Sequence, residues 1–181
     1  MTRDHDVARR AFEGLFHGDA KSLRDELRGE LVSSGYDAAE SRDGWPVKTW
    51  RRVLELVRQR SCPKLSQSEG FRDLGRRFAR GFGETPVGWV FTAVAPLLGP
   101  ERALMAVPKY LHVVRKNLAV ELHAVDARRF QFIAKDALFS EAEPPDFLAG
   151  CLEQVLIATG ETPRVKVASF DGVRLELDVA W

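Results

Sequence analysis

Residues 163–180 read PRVKVASFDGVRLELDVA and predict a β-hairpin near the end of the chain. Asp171-Gly172 is a two-residue turn that suits type I′, in which both central residues have positive φ. From Val173 onward, apolar side chains alternate with charged ones, and this period of two is typical of a strand with one buried face. We therefore expect one strand from Pro163 to Phe170 and a returning strand from Val173 to Ala180.

A second hairpin comes earlier, and one helix separates the two. Apolar residues alternate over residues 118–124 and again over residues 130–134, on either side of a turn near Asp126. Between the hairpins, apolar residues recur at helical spacing from Phe147 to Leu156, and Gly160 ends that helix. Residues 118–181 are thus predicted to form a ββ-α-ββ unit with a four-stranded antiparallel sheet.

Residues 1–117 are predicted to be mainly helical. Asp19 caps a helix over residues 20–33, Pro46 opens a second that ends at Cys62-Pro63, and residues 36–45 form a loop between them. A third helix starts at Ser66 or Ser68. It contains Gly75 and Gly81, which cost about 1 kcal/mol each inside a helix. Such glycines indicate close packing of another backbone or of a ligand.

The next helix, residues 86–98, is apolar nearly all round, which is typical of a central, buried helix. Pro100 opens another helix, with a kink expected at Pro108. The fold class is therefore α+β: a single domain over residues 1–181, in which the helical part packs on the sheet.

Composition fits an ordinary globular chain of 181 residues, with 45% hydrophobic and 29% charged residues. The N-terminus is too polar for a signal peptide, and the longest apolar stretch, residues 87–98, is shorter than the ~20 residues of a membrane helix. A cytoplasmic location without a membrane span follows. Only Cys62 and Cys151 occur, which excludes a disulfide scaffold and a cysteine-based zinc site.

Charge is balanced overall, with 27 basic and 26 acidic residues, but residues 48–80 carry ten basic and three acidic ones. Arg72, Arg76 and Arg80 recur every four residues on the outer side of the third helix, and Asp73 is placed to pair with Arg77. Arginine binds carboxylate or phosphate through two parallel hydrogen bonds. The alternative is that these arginines only solvate a helix face. No nucleic-acid partner is expected, because stacking aromatic residues and a recognition helix are missing.

Chemical motifs are sparse. The sequence has no phosphate-binding glycine loop, no nucleophile elbow and no paired histidines at metal-ligand spacing, so we expect no cofactor and no metal. His112 is interpreted as a boundary residue, with a haem ligand as the sharper alternative. Cys151 lies on the apolar face of its helix and is interpreted as a small buried hydrophobe. Glu141, Glu143 and Asp146 are interpreted as a solvated loop.

Scattered positions carry a resemblance to a known family. Phe12-Glu13-Gly14-Leu15-Phe16, Gly44-Trp45-Pro46, Leu74-Gly75, Gly99-Pro100 and Val179-Ala180-Trp181 resemble a large paralogous myxobacterial family of unknown function. The helix with Ala149-Gly150-Cys151-Leu152-Glu153 and the terminal hairpin are more distantly similar to the superfamily of haem–nitric-oxide sensors, 4-vinyl reductase domains and trafficking-complex subunits. That resemblance implies a fold that holds a haem, a small molecule, an acyl chain or a partner. The porphyrin-binding Tyr-x-Ser-x-Arg motif is missing.

These observations predict a non-enzymatic signalling or sensory module that binds a small apolar or amphipathic ligand or docks a protein partner. Two alternatives stay open: a homodimeric interaction module that uses the arginine face or a sheet edge, and an enzyme built on Tyr110, His112 and Lys116. The candidate ligand-binding residues provide apolar pocket walls or contacts for an anionic head group or acidic partner. They are Arg76, Arg80, Trp89, Phe91, Tyr110 and His112.

Overall fold

The computed structural model describes residues 6–17 and 20–181, apart from the side chains of residues 6, 87, 90–92 and 94. The helices are α1 (Arg9–Leu15), α2 (Lys21–Glu26), α3 (Arg28–Ser33), α4 (Val47–Ser61), α5 (Gln67–Gly83), α6 (Pro86–Val114) and α7 (Pro145–Ala158). The strands are β1 (Asp6–Ala8), β2 (Gly44–Pro46), β3 (Ala119–Asp126), β4 (Arg129–Lys135), β5 (Arg164–Phe170) and β6 (Arg174–Ala180).

The four-stranded sheet and its helix confirm the predicted fold class. The strand order is β3-β4-β6-β5, every neighbouring pair is antiparallel, and α7 lies in sequence between the two hairpins. Phe132, Leu175 and Leu177 are fully buried on one face of the sheet, in the same core cluster as Leu152 and Leu156 of α7. The period-two pattern therefore identified the buried face of β4 and β6 correctly.

The N-terminal helices enclose a second core built on aromatic rings. The rings of Phe12 and Tyr36 stack with centroids 4.6 Å apart, and Trp45 and Trp50 both pack on Phe12. Helix α7 belongs to both cores, because Phe147 contributes to the aromatic one while its neighbour Leu148 contributes to the sheet core. α7 is therefore the element that joins the two halves.

Several local expectations in the helical part need correction. Asp19 lies outside the described residues. The helix expected over residues 20–33 is two short helices, α2 and α3, because the backbone leaves helical geometry at Leu27 (φ −90°, ψ 7°). Residues 44–46, expected at the end of a loop and the start of a helix, form β2 and pair with β1. Strands of three residues are too short for a period-two pattern to be seen.

Helix α5 begins after Ser66, which is one of the two starting residues that the sequence predicts. The Ser66 hydroxyl accepts a hydrogen bond from the backbone N–H of Glu69, and the Glu69 carboxylate accepts one from the backbone N–H of Ser66. This reciprocal pair is a capping box, which satisfies two backbone donors at a helix start. It fixes where α5 begins, and so fixes which of its side chains face α7.

The hairpin turn differs from the predicted type I′. Gly172 has positive φ (94°), but no described residue other than glycine does, so Asp171 keeps a negative φ. The Asp171 carboxylate instead accepts hydrogen bonds from the backbone N–H groups of Val173 and Arg174, at 2.9 and 2.7 Å. The loop is one residue longer than expected, and Val173, predicted to face the core, is 51% exposed.

Helix α6 breaks where expected but is not buried as expected. Gly99 interrupts it with a left-handed conformation (φ 75°), as the Gly99-Pro100 pair predicts. Residues 86–98 are not a central helix, since Trp89 is 64% exposed and Leu97 is 86% exposed. A composition that is apolar all round does not specify which side faces the core. Among the described residues, no helix combines the length and the apolar character needed to cross a membrane.

Candidate functional site

The backbones of α5 and α7 touch at two glycines. A Cβ atom on Gly75 would lie 2.0 Å from the carbonyl oxygen of Phe147, and a Cβ on Gly150 would lie 2.0 Å from that of Arg72. Gly81 similarly approaches the carbonyl oxygen of Gly14, at 2.4 Å. Gly75 and Gly81 are thus explained by close packing against another backbone, which is the first of the two causes that the sequence predicts. This crossing sets the position of every side chain that α5 and α7 present to the space beside it.

A small apolar cavity lies beside that crossing, where α5, α6, α7 and β4 meet. Its volume is about 70 Å³. The walls are mostly aliphatic and aromatic side chains, and they include Phe78, Phe82, Val107, Phe132, Leu148 and Leu152. Tyr110 and Cys151 are the lining residues whose side chains carry a polar group. An apolar space of this kind suits a ligand that makes few hydrogen bonds.

Cys151 is a buried thiol in the cavity wall. It is 8% exposed, and its Sγ donates a weak hydrogen bond to the carbonyl oxygen of Gly75 at 3.4 Å. Burial raises the pKa of this thiol well above its usual value, and the carboxylate of Glu143 raises it further. The group therefore stays protonated and is a poor nucleophile, in agreement with its interpretation as a small buried hydrophobe.

A wider depression of about 260 Å³ adjoins the cavity, and we call it the mouth. It shares Ala79, Gly83 and Val155 with the cavity walls, so these three residues form the boundary between the two spaces. The mouth is completed by Ala158 and by four polar or aromatic residues: Arg80, Glu84, Trp89 and Gln154. The apolar cavity thus lies next to a space that carries charge and hydrogen-bonding groups.

The arginine stripe of α5 is mostly engaged by carboxylates within the chain. Nη1 of Arg72 lies 2.9 Å from one oxygen of Glu153, and Nη1 of Arg76 lies 2.8 Å from the other. Arg77 pairs with Asp73 at 2.8 Å, as predicted. The expectation that Arg72 and Arg76 line an outer helix face is therefore wrong, because Glu153 of α7 covers them.

Arg80 differs from the other arginines of the stripe. It is exposed, and among the described residues no carboxylate lies within ion-pair distance of it. The neighbouring carboxylate of the mouth, Glu84, instead lies 3.6 Å from Nε2 of His17. Arg80 is thus the member of the stripe that can meet an incoming anion without breaking an existing ion pair.

A buried ion triad, which the sequence analysis missed, connects α6 to the loop before α7. The guanidinium of Arg115 donates to Asp136 and to Glu143, with Nη1 2.7 Å from Oε1 of Glu143, and all three side chains are buried. Burial alone would lower the pKa of Arg115, but the two carboxylates outweigh it and raise that pKa above its usual value. The triad is structural, since it lines neither the cavity nor the mouth.

The predicted acidic loop is consequently not simply solvated. Glu143 is buried in the triad, and Asp146 accepts a hydrogen bond from Arg72 at 3.1 Å. Glu141 alone of these three pairs with a largely exposed partner, Lys48, at 3.4 Å. The sequence shows three acids near two prolines, but their partners lie far away along the chain.

The predicted ligand-binding residues are only partly brought together. Tyr110 lines the cavity, while Arg80 and Trp89 line the mouth. Arg76 is held by Glu153 and Asp73, and the side chain of Phe91 lies outside the described residues. His112 is exposed and lines neither space. The residues that sequence reasoning missed are Gln154 and the cavity walls supplied by α7 and β4.

The residues of the enzyme alternative, Tyr110, His112 and Lys116, do not converge on one site. Tyr110 and His112 are two residues apart on one helix and so point in different directions. Only Tyr110 of the proposed group lines the cavity, whereas His112 and Lys116 are exposed. In the described part of the chain, no three histidine, cysteine or acidic side chains are grouped so that they could hold a metal ion.

The fold is similar to that of H-NOX proteins. The structure of the Fe(II) unliganded H-NOX protein from K. algicida matches with a TM-score of 0.62 at 13% identity, covering 94% of each chain. An oxygen-binding H-NOX domain related to soluble guanylate cyclases matches with a TM-score of 0.63 at 17% identity, covering 94% of this chain and 90% of that one. A structure that probes haem distortion in the H-NOX family matches equally well, with a TM-score of 0.63 at 17% identity and coverage of 94% and 93%.

The residues of this chain do not fit a haem. A cavity of about 150 Å³ holds one benzene ring, whereas this cavity measures about 70 Å³ and a porphyrin is several times larger than benzene. Haem iron takes its protein ligand from His, Cys thiolate, Met or Tyr. Among the described residues, no histidine or methionine lines the cavity, and the thiol of Cys151 stays protonated. Tyr110 is the remaining wall residue of a ligating type, but the space beside it is too small for a porphyrin.

By sequence, the chain matches no curated protein at a significant level. It does match one protein family, described as a protein of unknown function (DUF2378), over residues 6–181. The positions that resemble a myxobacterial family of unknown function fall within this range. The chain therefore belongs to the DUF2378 family.

Proposed function

We propose that this chain is a non-enzymatic, cytoplasmic sensory domain that binds a small apolar ligand in the cavity between α5, α6, α7 and β4. The observation that carries the proposal is the cavity itself, an apolar space at the junction of the helical and sheet cores. The H-NOX-like fold supports it, because one H-NOX domain with this fold binds oxygen.

A ligand bound in this space would stabilise the folded state. It gains contacts with the apolar walls and binds the folded chain rather than the unfolded one, so it shifts the folding equilibrium by mass action.

The position of the cavity suggests how binding is transmitted. Its walls include Phe78 and Phe82 from the helical core and Leu148 and Leu152 from the sheet core. A ligand therefore contacts both halves of the domain at once. Ligand binding therefore favours the relative arrangement of the two halves that fits most closely around the ligand. This change in arrangement is the signal.

Xenon tests this proposal without any substitution. In a methyl-labelled sample under xenon pressure, we expect chemical-shift changes for the methyl groups of Val107, Leu148 and Leu152, which line the cavity. The methyl groups of Leu31 and Leu54 serve as controls, because they are fully buried in the helical core and do not line the cavity. Equal responses in the two sets, or none in either, would refute the proposal.

Of the two surfaces predicted for the interaction-module alternative, the arginine face is partly engaged within the chain. Arg72 and Arg76 pair with Glu153, whereas Arg77 and Arg80 are exposed. A sheet edge is available, since β3 and β5 are the outer strands. Light scattering on the purified chain separates the hypotheses, because a homodimeric module predicts twice the mass of one chain.

A further inference from the structure

We infer that the ligand is amphipathic: a short alkyl chain that enters the cavity and ends in a carboxylate, which Arg80 binds at the mouth. This inference rests on the proposed function and names the ligand class for the same site. It depends on three observations, namely the boundary residues that the cavity and the mouth share, the engagement of the other arginines, and the side-chain amide of Gln154 in the lining of the mouth.

The two spaces together match the two ends of such a molecule. The cavity is apolar and measures about 70 Å³, which suits a few methylene groups. The mouth measures about 260 Å³ and carries the charged and amide groups. Ala79, Gly83 and Val155 line both spaces and form the boundary between them. Because Ala79 carries only a methyl group and Gly83 has no side chain, we place the ligand chain across this boundary.

Arg80 is the group in the mouth that can bind a carboxylate. Arg72, Arg76 and Arg77 each already have a carboxylate partner at 2.8–2.9 Å. Arg80 lies one turn beyond Arg76 on the same helix and has no such partner among the described residues. A ligand carboxylate would give Arg80 the kind of partner that its neighbours obtain from Glu153 and Asp73, through two parallel hydrogen bonds.

Gln154 supplies a second contact for the head group. Its Oε1 atom is enclosed and has no hydrogen-bond partner in the described part of the structure. Its NH₂ group is not enclosed in this way, so it is the end of the amide that a ligand can reach. A carboxylate oxygen at the mouth can accept a hydrogen bond from that NH₂ group.

Glu84 adds a negative charge to the mouth. Its carboxylate also lines the mouth and lies 3.6 Å from His17. The mouth is therefore lined by one basic and one acidic side chain, so it has no strong positive field that attracts every anion. A carboxylate is selected by direct contact with Arg80, and its affinity should depend on that residue alone among the exposed arginines of α5.

The fluorescence of Trp89 can report ligand binding at the mouth. It lines the mouth and is 64% exposed, whereas Trp45 and Trp50 are fully buried in the helical core. A chain passing the mouth removes water from the Trp89 indole and changes its fluorescence. Hexanoate and hexanamide are suitable probes, because they share a chain length and differ only in the charge of the head group.

We expect hexanoate to bind with a Kd about fivefold lower than hexanamide, the advantage of one partly exposed ion pair. The Arg80→Gln variant should lose this preference. The Arg77→Gln variant should keep it, because Arg77 is equally exposed but pairs with Asp73. Equal affinities in the wild type, or the same loss in both variants, would overturn the inference. If xenon still shifts the cavity methyls in that case, the proposed function stands and only the ligand class is wrong.

Discussion

Gly150 of α7 lies so close to Arg72 of α5 that a Cβ at position 150 would come within 2.0 Å of the Arg72 carbonyl oxygen. We therefore expect Gly150→Ala to force the two helices apart and to lower the free energy of unfolding by about 3 kcal/mol. Chemical denaturation measures this change. Gly29→Ala is the matched control, since nothing lies within 4 Å of its Cβ position in α3, and it should stabilise by about 0.5–1 kcal/mol. Equal effects of the two substitutions would contradict the close crossing.

Arg115→Leu tests the buried triad. It removes the cation and leaves Asp136 and Glu143 as two buried carboxylates without their partner. Breaking a buried ion pair on one side costs about 3–5 kcal/mol. Arg128→Leu is the control, because Arg128 is 62% exposed and its pair with Glu161 contributes little. If both variants unfold at the same denaturant concentration, the triad is not a significant source of stability.

Alkaline pH should destabilise the chain through its two thiols. Burial raises the pKa of Cys62 and of Cys151 in the folded state. The folded chain then retains protons that the unfolded chain loses, so the contribution of the thiols to the free energy of unfolding is constant below about pH 8.5 and falls as the pH rises above it. A variant with Cys62→Ser and Cys151→Ser should show a shallower decline from pH 8.5 to 10. Part of the decline in the free energy of unfolding should remain in this variant, because burial also raises the pKa of Tyr36. An unchanged slope would show that the thiols do not titrate in this way.

Haemin should not bind despite the H-NOX-like fold. The cavity is too small, and no described histidine lines it. We expect haemin mixed with the purified chain to keep the absorption spectrum of free haemin, and His112→Ala to change nothing, because His112 is exposed. A shifted Soret band that disappears in that variant would contradict the structure of the cavity.

The features of the fold that the sequence predicts are those set by local stereochemistry. The start of a helix at Ser66, the break at Gly99 and the alternation in β6 each depend on residues close together in the chain. The type I′ turn was wrong for a local reason as well: the Asp171 carboxylate binds two backbone N–H groups and stabilises a longer loop. Turn type depends on side-chain hydrogen bonds that residue identity alone does not determine.

The site was harder to predict because its residues are paired across the whole chain. Arg72 and Arg76 pair with Glu153, which lies 81 and 77 residues further along the chain. No rule of sequence spacing predicts contacts at such separations. Arg80 and Trp89 were identified as candidates from residue type, but the sequence did not show that Arg80 is the arginine left without a carboxylate. That distinction arises only when α7 packs on α5 and places Glu153 beside Arg72 and Arg76.

Enlarging the cavity should convert it into a benzene site. Leu148 is 3% exposed and lines the cavity, so Leu148→Ala adds its lost volume to the existing 70 Å³ and costs about 2–5 kcal/mol. Cavities of about 150 Å³ bind benzene, and we expect saturating benzene to raise the Tm of this variant by about 3 °C. Leu156→Ala is the control, because Leu156 is fully buried on the same helix but does not line the cavity. It should be destabilised to a similar extent and gain nothing from benzene, since its smaller void has no existing volume to join. Equal gains in both variants would mean that the space beside Leu148 is already filled by the protein.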